Sequence, residues 1–244
     1  MINVSAVSYL NTLPLIYGLN NSSLSEMINL NLDYPSICAK KFLSGEVDIA
    51  LVPVVVMKEI DSYNIISNYC IGSDGYVDTV CLYSEVPIHQ VKNIFLDYQS
   101  KTSVELLKIL LKEYWHLSPK LIHSKYGFEN NIKGKDAGLV IGDRSFILND
   151  KFKFVYDLSF FWKKMTSLPF VFAVWLSKIK FSEKFIVDFN NALSYGLNNI
   201  NLALAEQDNK FLECPNPYAY LQNTISYDLD DKKIESMEFF LNKL

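Results

Sequence analysis

Arginine is all but missing from this chain: of 23 basic residues, Arg144 is the only arginine. A bound anion therefore cannot rest on a cluster of guanidinium forks and has to be met by hydroxyls, amides or helix ends. The lysine excess, with abundant Asn and Ile, reads as genome composition rather than a functional choice. The net charge is −4 and no basic stripe is interleaved with aromatics, so nucleic acid is not an expected partner. Cysteine is scarce as well. Cys38, Cys70, Cys81 and Cys214 form no Cys-x-x-Cys pair and have no histidine at metal-ligand spacing, so they read as buried free thiols in a reducing compartment. His89 and His116 fall in connecting segments. His123, near the end of a short apolar segment, is the one histidine to weigh for acid–base work, and simple packing or exposure explains it as well. Neither a phosphate-binding glycine loop nor a Ser-His-Asp order is visible. No apolar stretch approaches the ~18 residues that span a bilayer. The start, MINVSAVSYLNT, has no basic segment and no long apolar run, so no signal peptide, no membrane partner and a cytoplasmic location are expected.

What is present is globular: 50% hydrophobic and 20% charged residues, with ample material for a core. Length alone leaves one large domain or two small ones open. Ile2, Val4 and Ala6 alternate with polar neighbours and predict a strand. The polar turn Ser8-Tyr9-Leu10-Asn11-Thr12 follows, then a helix whose first turn suits Pro14. Leu30 to Tyr34 predicts a second strand, Pro35 and Ser36 open a helix that Gly45 ends, and Val47 to Val52 predicts a buried strand stopping at Pro53. The middle repeats this plan. Ile94-Phe95-Leu96 predicts a strand, Asp97 to Ser103 a polar turn, and Leu106, Leu107, Leu110, Leu111 and Tyr114 the apolar face of a helix. Thr102 and Glu105 have the spacing of a capping box.

Asp136-Ala137-Gly138-Leu139-Val140 then mirrors Asp48-Ile49-Ala50-Leu51-Val52. Thr12 and Thr102 lie 90 residues apart, and Asp48 and Asp136 lie 88 apart. Two units of one plan predict an α/β protein of two similar lobes with a cleft between them, coincidence among common strand patterns being the competing account. Tyr76 to Tyr83 and Phe170 to Trp175 are the expected crossing strands. The end of the chain is helical, with Phe185, Ile186, Phe189, Leu193 and Leu197 at helical spacing and a last helix starting at Asp230-Asp231.

Hydroxyls and amides gather at the predicted helix starts: Ser8, Tyr9, Asn11 and Thr12; Ser100, Thr102 and Ser103; and the loop Gly72-Ser73-Asp74-Gly75. Helix N-termini bind anions through unpaired N–H groups and the dipole. Ordinary capping explains any one such turn, but two turns facing one cleft point to a binding site. Asp143, following the apolar strand through Ile141-Gly142, is a candidate base or hydroxyl anchor, or an N-cap. Phe160, Phe161 and Trp162 fit a core better than a ligand platform.

Six segments in order carry a resemblance over nearly the whole chain. They are Ser8 to Leu15, Gly45-Glu46-Val47-Asp48-Ile49-Ala50-Leu51-Val52-Pro53, Ile71-Gly72-Ser73, Ser100-Lys101-Thr102-Ser103-Val104, Leu139-Val140-Ile141-Gly142-Asp143, and Tyr156 to Trp162 with Leu168 to Trp175. Together they resemble the chorismate dehydratases of the futalosine route to menaquinone. The resemblance implies a two-lobed fold like type II periplasmic binding proteins, with residues 1–83 and 173–244 in one lobe and 84–172 in the other. It implies loss of water from chorismate to give 3-[(1-carboxyvinyl)oxy]benzoate, driven by aromatisation and requiring no metal or redox cofactor. It places Asn11 and Thr79 beside the ring as the catalytic polar groups. Ser8, Tyr9, Pro53, Ser73, Gly142 and Asp143 would line the pocket, and Ser100, Thr102 and Ser103 would hold a carboxylate. For the base, the substrate's own enolpyruvyl carboxylate is favoured over Asp143, which would then be an anchor. The chain departs from the expected pattern at Thr79, Ser167 and Ser145, where serine, glycine and alanine are expected. The sister enzyme of the same fold, which makes 1,4-dihydroxy-6-naphthoate, has a Ser-Pro-x-x-Asn-Asp-Thr turn that Ser8 to Pro14 does not match. A cytoplasmic solute-binding protein and a ligand-sensing domain are the other readings, and no DNA-binding segment is attached to favour the latter.

Overall fold

In the computed structural model, which describes residues 1–207, 211 and 213–244, the chain builds two sheets on one plan. β1 (Ile2–Val7), α1 (Leu13–Asn20), β2 (Ile28–Asp33), α2 (Pro35–Ser44), β3 (Ile49–Pro53) and β4 (Asn64–Ser73) form the first lobe. β5 (Val80–Ser84), β6 (Asn93–Leu96), α3 (Thr102–Glu113), β7 (Lys120–His123), β8 (Asp136–Ile141), α4 (Arg144–Leu148), β9 (Phe154–Asp157) and α5 (Leu158–Thr166) form the second. The chain returns through β10 (Phe170–Ser177), α6 (Glu183–Asn198), α7 (Ile200–Ala205), α8 (Pro217–Ala219), β11 (Ser226–Asp228) and α9 (Asp231–Leu241).

The sheet orders are β11-β4-β10-β3-β1-β2 and β7-β6-β8-β5-β9. In each, a parallel strand (β1 or β6) lies between the next two parallel strands, and an antiparallel strand that has just crossed from the other lobe (β10 or β5) extends the sheet. The echo is therefore structural. Its two aspartates do matching work: the Asp48 carboxylate accepts from the Asn3 N–H at 2.8 Å, and the Asp136 carboxylate accepts from the Asn93 carboxamide at 2.6 Å. Each ties its strand to the start of the neighbouring parallel strand and so fixes register. β3, β5 and β10 are buried at every position, which is why they read as continuous apolar runs without alternation.

The expected lobe boundaries shift by a few residues. β5 pairs with β8 and β9, and β10 pairs with β4 from Phe170 onward. The crossings are thus the short links before these strands, not the strands themselves. The first link is fastened by the Asp157 carboxylate, which accepts from the Val77 and Asp78 N–H groups at 2.8 Å each while capping α5 through the Phe160 N–H. Burial pushes this carboxyl up to about 6 despite those three donors. Ser167 closes α5 at φ +65, which accounts for glycine being expected there.

A helix crossing in the first lobe escaped the sequence reading. α1 packs on α6 through Gly18 and Gly196. A Cβ at Gly196 would stand 1.8 Å from the Pro14 carbonyl oxygen, and one at Gly18 would stand 1.9 Å from that of Ala192. Backbone cannot yield as a side-chain tip does. Gly196→Ala is therefore expected to lower stability toward the upper end of the ~1–3 kcal/mol typical of overpacking, read by denaturant unfolding. A midpoint equal to that of the parent protein would show that the helices can separate freely.

The four cysteines are buried free thiols, and burial pushes Cys38 and Cys70 up to about 12. Among the described residues, no helix is long and apolar enough to cross a membrane.

Candidate active site

The polar turns that follow β1 and β6 face each other across the lobes, where the carboxyl ends of parallel strands place ligand sites. Their contact falls at equivalent places in the two halves: the Tyr9 hydroxyl donates to the Gln99 side-chain oxygen, 90 residues on. Burial raises the Tyr9 phenol far above its ordinary range, so it stays a neutral donor. Beside it, the Leu10 N–H donates to both carboxylate oxygens of Asp143 at 3.1 Å. Gly142 sits under the Tyr9 ring at φ +71, where a Cβ would meet the ring carbon Cζ at 2.6 Å. One turn from each lobe is thus latched to the other.

Between them lies a cleft of about 530 Å³, its open mouth included. The first lobe contributes Tyr9, Asn11 and Thr12 from its turn, Pro53 from the end of β3, and Phe172 and Ala173 from β10. The crossing contributes Val77 and Thr79. The second lobe contributes Ser100, Thr102, Ser103, Ile141 and Gly142. Among the described residues lining this cleft, none is Asp, Glu, His, Lys or Arg. Its chemistry is that of hydroxyls, one carboxamide and the start of α3.

Eight of the eleven residues assigned to the pocket from the sequence therefore line this one cleft: Tyr9, Asn11, Pro53, Thr79, Ser100, Thr102, Ser103 and Gly142. Three lie off it. Ser8 stands outside the wall, its N–H bonded to the Asp33 carbonyl. The Ser73 hydroxyl is engaged with that of Ser159 at 2.6 Å, joining β4 to α5. Asp143 turns its carboxylate to the Leu10 N–H, which is an anchoring position. His123 lines a separate groove beside α3. The expected capping box is also corrected. Thr102 is the first residue of α3, and its hydroxyl donates to the Phe172 carbonyl at 3.3 Å, across the lobes. Ser100 supplies the cap instead, accepting from the Ser103 N–H at 3.0 Å, and Glu105 pairs with Lys108 on the helix surface.

A family model described as menaquinone biosynthesis matches residues 2–244. The chain belongs to this family. A Thermus thermophilus protein named chorismate dehydratase is 33% identical over 159 residues, a stretch covering 58% of this chain and 58% of that protein. The fold extends further. A crystal structure of an Archaeoglobus fulgidus protein matches with a TM-score of 0.75 at 15% identity, covering 99% of this chain and 97% of that one. A Candida albicans protein, described as exhibiting the generic periplasmic binding protein structural fold, matches at 0.64 with 12% identity, covering 100% and 89%. The expected two-lobed fold is thus the observed one.

In this member of the menaquinone biosynthesis family the one arginine sits behind the cleft. Arg144 pairs with Asp97 at 2.6 Å and with Glu129, and donates to the Gln99 oxygen at 3.2 Å. Asp97 also accepts from the Gln99 and Ile141 N–H groups at 2.9 Å. The ion pair therefore fixes Gln99, and Gln99 fixes Tyr9. Gln99 was missed in the sequence because nothing in a lone glutamine marks it. Tyr220 was missed too: its hydroxyl lies 2.8 Å from that of Thr79, and the two residues are 141 positions apart.

Proposed function

We propose that this protein is a chorismate dehydratase: a cytoplasmic carbon–oxygen lyase that removes water from chorismate to give 3-[(1-carboxyvinyl)oxy]benzoate. The observation that carries the reading is an interlobe cleft lined by hydroxyls, a carboxamide and apolar surface, with no charged side chain among its described walls, in a member of the menaquinone biosynthesis family. Kinship with the Thermus thermophilus dehydratase supports it.

The chemistry asked of such a site is modest. The proton on the ring carbon bearing the enolpyruvyl ether and the neighbouring hydroxyl leave together as water, and the ring becomes aromatic. The protein has to orient a dianion and assist a departing hydroxide. The start of α3, with Ser100, Thr102 and Ser103 on the wall, suits a carboxylate. Asn11 and Thr79 offer hydrogen bonds beside the ring. The wall's wealth of hydroxyls and amides supports the substrate's enolpyruvyl carboxylate as the group that takes the proton, with Asp143 an anchor bonded to the Leu10 N–H.

Incubation with chorismate, followed by ultraviolet and mass detection of an aromatic product lighter by one water, tests the reading. Product formation is expected. Binding without product would instead favour a solute-binding protein, the role the fold serves elsewhere. The base assignment has its own test. Loss of a general base lowers turnover by ~10²–10⁴-fold. Asp143→Asn keeps an oxygen that can accept from the Leu10 N–H, so it is expected to retain more than about a tenth of turnover, well above that range. A loss beyond a hundredfold with chorismate binding intact would make Asp143 the base.

A further inference from the structure

One buried hydroxyl stands behind the cleft wall without touching it. Tyr220 opens the π-helical stretch Tyr220–Thr224, a rare local geometry that recurs at functional sites. Its ring packs edge-on against Phe146 at 5.0 Å, which fixes its direction. Its hydroxyl lies 2.8 Å from Oγ1 of Thr79, and Thr79 Oγ1 lies 3.3 Å from the Val77 carbonyl oxygen.

Counting hydrogens orders these contacts. A carbonyl only accepts, so the single hydrogen of Thr79 goes to Val77, and Tyr220 is the donor to Thr79. Tyr220 thus donates to Thr79, and the Thr79 hydrogen is held only by the long contact to the Val77 carbonyl.

We infer that Tyr220 is a positioning residue for the proposed dehydration: by donating to Thr79 it keeps the threonine hydrogen turned away from itself, on the long contact to the Val77 carbonyl, from which it can turn to the departing hydroxyl in the cleft. It touches no cleft surface and acts only through Thr79. With the phenol oxygen removed, the Thr79 hydroxyl gains other rotamers and its direction is lost. The inference rests on the dehydratase reading for its chemistry, and on the hydrogen-bond geometry alone for the orientation of Thr79.

Tyr220→Phe keeps the ring and its packing on Phe146. Its kcat for chorismate is expected to fall by about ten- to a hundredfold with KM within about threefold, because the lost interaction matters in the transition state and not in ground-state binding. In a Thr79→Val background the same change should lower kcat no further, since the phenol then has nothing to orient. Losses that simply multiply in the double variant, or a Tyr220→Phe kcat within twofold of the parent, would overturn the inference. A substrate-free measurement separates its failure from that of the dehydratase reading. NMR couplings should report one Thr79 χ1 rotamer in the parent protein and averaging in Tyr220→Phe. An unchanged rotamer in the variant would refute the positioning role even where chorismate is turned over. If the parent does not turn chorismate over, the dehydratase reading fails, and the rotamer result alone decides what Tyr220 does.

Discussion

Gly142→Ala is expected to lower kcat/KM for chorismate by about a hundredfold or more, the order of loss that follows a 1 Å misplacement of groups around a substrate. The added methyl meets two obstacles. At φ +71 an L side chain is strained by roughly 1–2 kcal/mol in any surroundings. Its Cβ would also lie 2.6–2.8 Å from three carbons of the Tyr9 ring. That ring cannot retreat, because its hydroxyl is held by Gln99 and Gln99 is held in turn by Arg144. The remaining way to relieve the overlap is to part the lobes, and parted lobes cannot bring Asn11 from one and Ser100 from the other to the same molecule. A companion variant isolates this cause. With Tyr9→Ala already in place, the three atoms nearest the Cβ are gone, so Gly142→Ala should cost chiefly its backbone strain. Scattering profiles with and without chorismate should show a smaller compaction for Gly142→Ala than for the parent. Equal compaction together with near-parental kcat/KM would mean that Tyr9 and Gly142 do not govern closure.

These residues also mark where the sequence was legible. Tyr9 and Gly142 stood out because each belongs to a short ordered segment, and the turns holding them repeat at a fixed spacing. The plan of strand, polar turn and helix was readable twice because burial imposes it twice: β3 follows, and β8 starts with, an aspartate that ties it to the adjacent strand. What could not be read were partnerships set by the third dimension. The Thr102 hydroxyl suited a local cap, yet it donates to the Phe172 carbonyl of the other lobe, and Ser100 caps the helix. Ser73 belongs to a segment of the resemblance, but α5 packs Ser159 against it and takes its hydroxyl out of the cleft. Gly18 and Gly196 lie in separate helices and carry no local signal for the crossing they permit. Tyr220 reaches Thr79 only because the C-terminal segment returns to the first lobe.

Removing the hydroxyl of Thr79 or the carboxamide of Asn11 should abolish most turnover. A hydrogen bond realised at a developing negative charge is worth ~2.7–4 kcal/mol, or about a hundred- to a thousandfold in kcat. Both Thr79→Val and Asn11→Ala are expected in that range. Their stabilities should differ. Asn11 is half-buried at the cleft and its backbone carbonyl keeps the bond from the Tyr227 hydroxyl at 2.9 Å after truncation, so Asn11→Ala should lose only the 3.1 Å bond from the Thr12 hydroxyl and melt closer to the parent. Thr79 is buried, and valine leaves the Tyr220 hydroxyl facing a methyl group. A buried donor stripped of its acceptor costs about 1–3 kcal/mol, so Thr79→Val should also lose several degrees in thermal midpoint. That stability loss is separable from catalysis, because Tyr220→Phe added to Thr79→Val removes the stranded hydroxyl and should recover part of the midpoint without recovering turnover. Thr79→Ser keeps the hydroxyl and drops a methyl, and is expected to turn over at a rate near or above the parent's. The comparison of valine with threonine thus isolates one O–H group at nearly fixed volume, and that of serine with threonine isolates the methyl. Normal turnover by folded Thr79→Val would remove Thr79 from the chemistry and leave Asn11 as the sole polar group beside the ring.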